Sequence, residues 1–75
     1  MCTLVDAKTN TDLVLISIEG CESIKQRLAD MGLLPGGRLR VLHNSGRGPV
    51  TIQVKGTKIA LGYGLASKII VKEER

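Results

Sequence analysis

The stretch DMGLLPGGRLRVL, Asp30 to Leu42, sets Gly32, Pro35, Gly36 and Gly37 between two segments of regular apolar spacing. Glycines this dense either cradle a phosphate or turn the chain. A phosphate loop needs backbone N–H groups converging at the start of a helix, so its glycines follow a strand and precede a helix. Here the order is reversed. Upstream, in CESIKQRLADM, Ile24, Leu28 and Met31 recur at i, i+4 and i+7, which predicts an amphipathic helix of about three turns. Gly32 is expected to end it at positive φ, with Leu33 folding back on Leu28. Leu34-Pro35-Gly36-Gly37 reads as a type II turn, because proline presets φ at its second position and Gly36 supplies positive φ at its third. RLRVLH then reads as a strand. The glycines therefore aim a helix into a strand, and no Walker Lys-Ser/Thr pair or GxGxxG follows a strand anywhere in the chain.

Outward from this stretch, Gly20, or Ser23 with Gln26 as a capping box, is expected to start the helix, and Glu22 suits the positive end of its dipole. DLVLISI before the helix reads as a strand with both faces partly apolar, alternating Val14, Ile16 and Ile18 against Leu13, Leu15 and Ser17. After it come RLRVLH, a turn at NSGRG, the strand PVTIQV opened by Pro49, a tight turn at Lys55-Gly56, the strand TKIAL, a short helical turn in GYGLASK and a last strand, IIV. About five short strands with one helix between the first two describe a mostly β fold, a small barrel.

The 75 residues are expected to form one domain, 1–75, with a small core, since a chain this short buries only about 60% of its unfolded surface. With no Trp or Phe and one Tyr, that core must be built from Leu, Ile and Val. No apolar run approaches the roughly 20 residues that span a bilayer, and MCTLVDAKTN lacks the layout of a signal peptide, so a cytoplasmic location is expected. Cys2, Cys21 and His43 lack metal-ligand spacing, so no metal site or cofactor is expected, and Cys2 and Cys21 read as free thiols. With one His and scattered acids, no nucleophile, base and orienting group can be picked out; an enzyme is not expected and no catalytic residue is named.

Charge is unevenly spread. Residues 1–24 hold four acids against Lys8, a net −3, whereas residues 25–75 hold ten Lys/Arg against Asp30, Glu73 and Glu74, a net +7. A basic two-thirds implies an acidic partner: a protein face, an anionic membrane surface or nucleic acid. The exposed candidates for partner contact are Arg38 and Arg40 on the outer face of their strand, Arg47 at a hairpin tip, Lys58 and Tyr63. Each also has a plain reading as solvated surface, and Tyr63 as a cover over the core.

The segments RLADMGLLPGGRLRVL and GPVTIQVKGTKIALGYGLASKIIV together resemble the FeoA family, small cytoplasmic companions of bacterial ferrous-iron transporters. The resemblance runs from Asp12 to Val71 and lies in a combination: Leu28, Gly32, Leu33, Pro35-Gly36, the alternating strand after Pro49, and Ile59-Ala60-Leu61 with Ala66, Ile69 and Val71. It implies an SH3-like barrel and a partner, the cytoplasmic region of the membrane GTPase-permease that moves Fe²⁺. Gly46-Arg47-Gly48-Pro49 stands where many members have a Gly-Asp-Pro turn, and Gly62-Tyr63-Gly64 is unusually glycine-rich. The same fold forms the C-terminal module of metal-dependent repressors; a chain opening at Met1 with no helix-turn-helix is expected to be the stand-alone form. Polyproline recognition needs an aromatic-lined groove that Tyr63 alone cannot supply. The same shortage argues against base stacking, which leaves phosphate-only nucleic-acid binding as the alternative.

Overall fold

The computed structural model describes residues 1–74. In chain order the elements are β1 (Cys2–Thr3), a 3₁₀ turn (Leu4–Asp6), β2 (Asp12–Ile18), α1 (Glu22–Asp30), β3 (Arg38–Asn44), β4 (Val50–Val54), β5 (Thr57–Leu61), α2 (Tyr63–Ala66) and β6 (Ile69–Glu73). The strands form one antiparallel sheet in the order β1-β6-β2-β3-β4-β5. Six strands replace the expected five, because Cys2 and Thr3 pair with Val71 and Ile70. The outermost strands β1 and β5 do not pair with each other, so the sheet is not closed.

The Gly32 turn forms as its chemistry dictates. Gly32 has φ +93°, its N–H donates to Ala29 O at 2.9 Å, and the Leu33 N–H donates to Leu28 O at 2.9 Å. That bond pair is a Schellman motif, and Leu28 and Leu33 are both buried beside it. Gly36 follows at φ +87°, and the Gly37 N–H closes the type II turn on Leu34 O at 2.9 Å. The turn is tied to β2 on both sides, since the Gly36 N–H donates to Leu15 O and the Leu15 N–H donates to Gly37 O.

The helix start differs from expectation. Cys21, not Gly20 or Ser23, is the N-cap residue, and no side chain caps the helix. Gln26 turns the other way and donates to the Asp30 carboxylate at 2.9 Å, so the capping box does not form. In β2 the expected simple alternation is broken by a bulge between Leu15 and Ser17, which leaves Ile16 unpaired against β6. The bulge shifts the phase, so Ile18 joins Leu13 and Leu15 on the core face in place of Ser17, and Val14 and Ile16 are only partly buried. A second bulge, between Val41 and His43, does the same for Leu42 in β3.

The core is aliphatic: Leu13, Leu15, Leu28, Val41, Ile52 and Ile69 are its central members, with Ile24 of α1 and Met31 just after it packed against it. Leu4 is also fully buried. The N-terminal segment is held there by Asn44, whose side-chain N–H groups donate to Val5 O at 3.0 Å and Ala7 O at 2.7 Å. No helix among the described residues is long and apolar enough to cross a membrane.

Candidate functional site: a charged face on the open sheet

Strand register decides which side chains share a face, since directly opposed residues point the same way. Asp12, Arg40, Gln53 and Lys58 are opposed in turn across β2, β3, β4 and β5, which makes one transverse row. Lys72, Val14 and Arg38 make the neighbouring row across β6, β2 and β3. Leu39, Val41, Ile52 and Val54 lie on the opposite, buried face. Arg38, Arg40 and Lys58 are thus brought onto one outer surface, as their alternation with apolar residues implied.

Arg47 and Tyr63 do not join them. Arg47 lies in the exposed connection after Asn44, and Tyr63 opens α2 next to Gly62 with half of its surface exposed. Arg47 precedes Val50 by three residues and Tyr63 follows Leu61 by two, and the Val50–Leu61 pair lies three residues along β4 from the Gln53–Lys58 pair, roughly 10 Å at about 3.3 Å per residue. Around Arg47 the turn is fixed by the Gly46 N–H, which donates to Asn44 Oδ1 at 2.9 Å, with Gly46 at φ +85°.

The two arginines are not bare cations. Arg38 Nε meets Glu74 Oε1 at 2.9 Å, and Arg40 Nη1 donates to Asp12 Oδ1 at 2.9 Å. These side chains and Lys55 border a shallow cleft of about 350 Å³ at one end of the outer face. A second hollow, of about 310 Å³, runs between α1 and β2; Ser17, Ile18, Ala29, Leu34 and Pro35 line it and Glu22 and Lys25 edge it. Leu34, read from sequence only as a turn residue, is 51% exposed at this hollow. The available signal was a leucine at a turn position that has no need of burial.

Cys21 carries a perturbed acidity. The Ser23 hydroxyl against its sulfur at 3.0 Å, then the Ile24 backbone N–H, hold its thiol pKa below the ordinary value. Cys2, Cys21 and His43 are all exposed, on β1, at the start of α1 and on β3. Among the described residues no group of three or more His, Cys, Asp or Glu is placed to hold a metal ion.

The architecture is that of a small SH3-like module with a charged sheet face, a class shared by stand-alone proteins and by domains of larger regulators. The FeoA domain family model matches residues 2–73, and the chain belongs to that family. It is 42% identical over 74 residues to Fe(2+) transport protein A of Methanocaldococcus jannaschii, covering 97% of this chain and 88% of that protein. A crystal structure of an iron uptake regulatory protein (FeoA) superposes with a TM-score of 0.89 at 32% identity, covering 96% of each chain. A manganese-dependent transcriptional repressor shares the fold, with a TM-score of 0.86 at 20% identity over 96% of this chain and 41% of the repressor. FeoA proteins are accessory proteins of ferrous-iron transport, and this chain is one of that family.

Proposed function

We propose that this chain is a non-enzymatic, cytoplasmic accessory protein that docks on the cytoplasmic region of a membrane ferrous-iron GTPase-permease. The observation that supports this reading most is the family match over residues 2–73, nearly the whole chain. The outer sheet face supplies a physical means of encounter. Arg38, Arg40, Lys58 and Lys72 lie on it, and the +7 charge of residues 25–75 steers association with an acidic surface.

The test is the association rate with the permease's soluble G-domain region across a salt series, for the parent and for an Arg38→Gln, Arg40→Gln, Lys58→Gln variant. Neutralisation is preferable to reversal, because Arg40→Glu would set a carboxylate directly opposite Asp12. The parent rate is expected to fall with salt and the variant to associate more slowly at low salt. A folded variant that associates at the parent's rate would remove the charged face from the account.

A further inference from the structure

The cleft at the end of the outer face is bordered by Arg38, Arg40 and Lys55, and two of these cations already hold carboxylates. We propose that this cleft is a carboxylate-exchange site: it receives the Asp/Glu side chains of an acidic partner segment, which replace Glu74 and Asp12 on the arginines. The inference rests on the docking reading above only for the identity of the partner; the site itself belongs to this chain alone.

Three observations carry it. First, the bound carboxylates show what fits, since Glu74 and Asp12 reach Arg38 and Arg40 at 2.9 Å, the distance of a charge-assisted hydrogen bond. Second, the resident pairs are exchangeable. The Arg38 and Arg40 side chains are 78% and 43% exposed and their partners 32% and 58%, and ion pairs this wet hold one carboxylate little better than another. Glu74 also lies beyond the end of β6, where its side chain can swing out without breaking strand pairing.

Third, Lys55 occupies a backbone position that lysine does not favour. Val54 and Thr57 are opposed, so Lys55-Gly56 is a two-residue hairpin loop, and both residues have positive φ, +51° and +82°. Asn or Asp followed by Gly is the favoured pair in such a type I′ loop. A lysine held there at a conformational cost places a third cation on the cleft, and Lys55 has no ion pair among the described residues. The cleft is thus two arginines with replaceable partners and one lysine with no ion pair among the described residues.

The full chain, ¹⁵N-labelled at low salt, would be titrated with an acetylated hexaglutamate peptide, a hexaglutamine control and inorganic phosphate. Hexaglutamate is expected to give saturable amide shifts centred on Arg38, Arg40, Lys55 and Gly56, with hexaglutamine silent and phosphate much weaker. Glu74→Gln should tighten the peptide by roughly threefold, because a competing carboxylate is gone. Lys55→Asn should weaken it by a similar factor while the protein melts at the same or a higher temperature, since asparagine is at home in the loop. The proposal is overturned if hexaglutamate shifts nothing, if its shifts spread over every basic residue without saturation, or if Glu74→Gln leaves its affinity unchanged. Phosphate binding the same residues as tightly would overturn the assignment to an acidic segment. The permease plays no part in this titration, so saturable binding here with no binding to the G-domain region refutes only the choice of partner.

Discussion

Asp12 and Arg40 stand directly opposite each other on β2 and β3, and the guanidinium donates to the carboxylate at 2.9 Å across that pair. The contact joins the acidic first third of the chain to the basic remainder. Its energetic weight is small, because both side chains are more than a third exposed. Asp12→Asn is expected to change unfolding free energy by less than about 1 kcal/mol in denaturant titration. A loss well above that would show the pair to be part of the fold's support and not an exchangeable surface contact.

Gly32→Val should cost at least about 1 kcal/mol, because a β-branched residue at φ +93° is strained and the helix stop is lost. The space itself is adequate: an added Cβ would meet Val54 Cγ1 at 3.7 Å, an ordinary contact. Gly36→Ala, at φ +87° with nothing within 4 Å, should lose less, since only the backbone conformation is penalised. Chemical denaturation of both variants checks the order; a Gly32→Val protein as stable as the parent contradicts it.

That turn was legible from sequence because all of its determinants are local: a glycine at the helix end, a leucine four residues before it and another directly after it, and a Pro-Gly pair. The features that sequence missed are properties of two strands at once. Cys2 and Thr3 show no period of their own and become a strand only against Val71 and Ile70. The bulges at Ile16 and Leu42 are defined by what the neighbouring strand skips, so the phase of β2 could not be read from DLVLISI alone. Likewise the outer face of Arg38 and Arg40 followed from alternation, whereas their pairing with Glu74 and Asp12 required the β6-β2-β3 order. The separation of Arg47 and Tyr63 from that face required the β4-β5 register.

Leu28→Ala should destabilise the domain by about 2–4 kcal/mol, since Leu28 is fully buried in the same core cluster as Leu33 and its loss leaves a cavity there. Leu34→Ala, at a half-exposed position, should stay within about 0.5 kcal/mol. Thermal melts of the two variants compare them directly, and equal losses would mean that the hollow beside α1 is part of the core.

The Cys21 thiol should become a thiolate at lower pH than an ordinary cysteine, because the Ser23 hydroxyl and the Ile24 N–H favour the charged sulfur. Ser23→Ala removes the larger of these two causes. The pH–rate profile for alkylation of Cys21, followed in a Cys2→Ser background, should therefore move to higher pH in the Ser23→Ala variant. An unchanged profile would show that the hydroxyl does not tune the thiol.

The central claim, docking on a ferrous-iron permease, is tested most directly by calorimetric or optical binding of the purified chain to the permease's cytoplasmic G-domain region, with duplex DNA as the competing ligand. The account predicts saturable binding to the G-domain region that weakens with salt, and no tight binding to DNA. Absence of binding to that region at every salt concentration, together with tight and steeply salt-dependent binding to DNA, would contradict it.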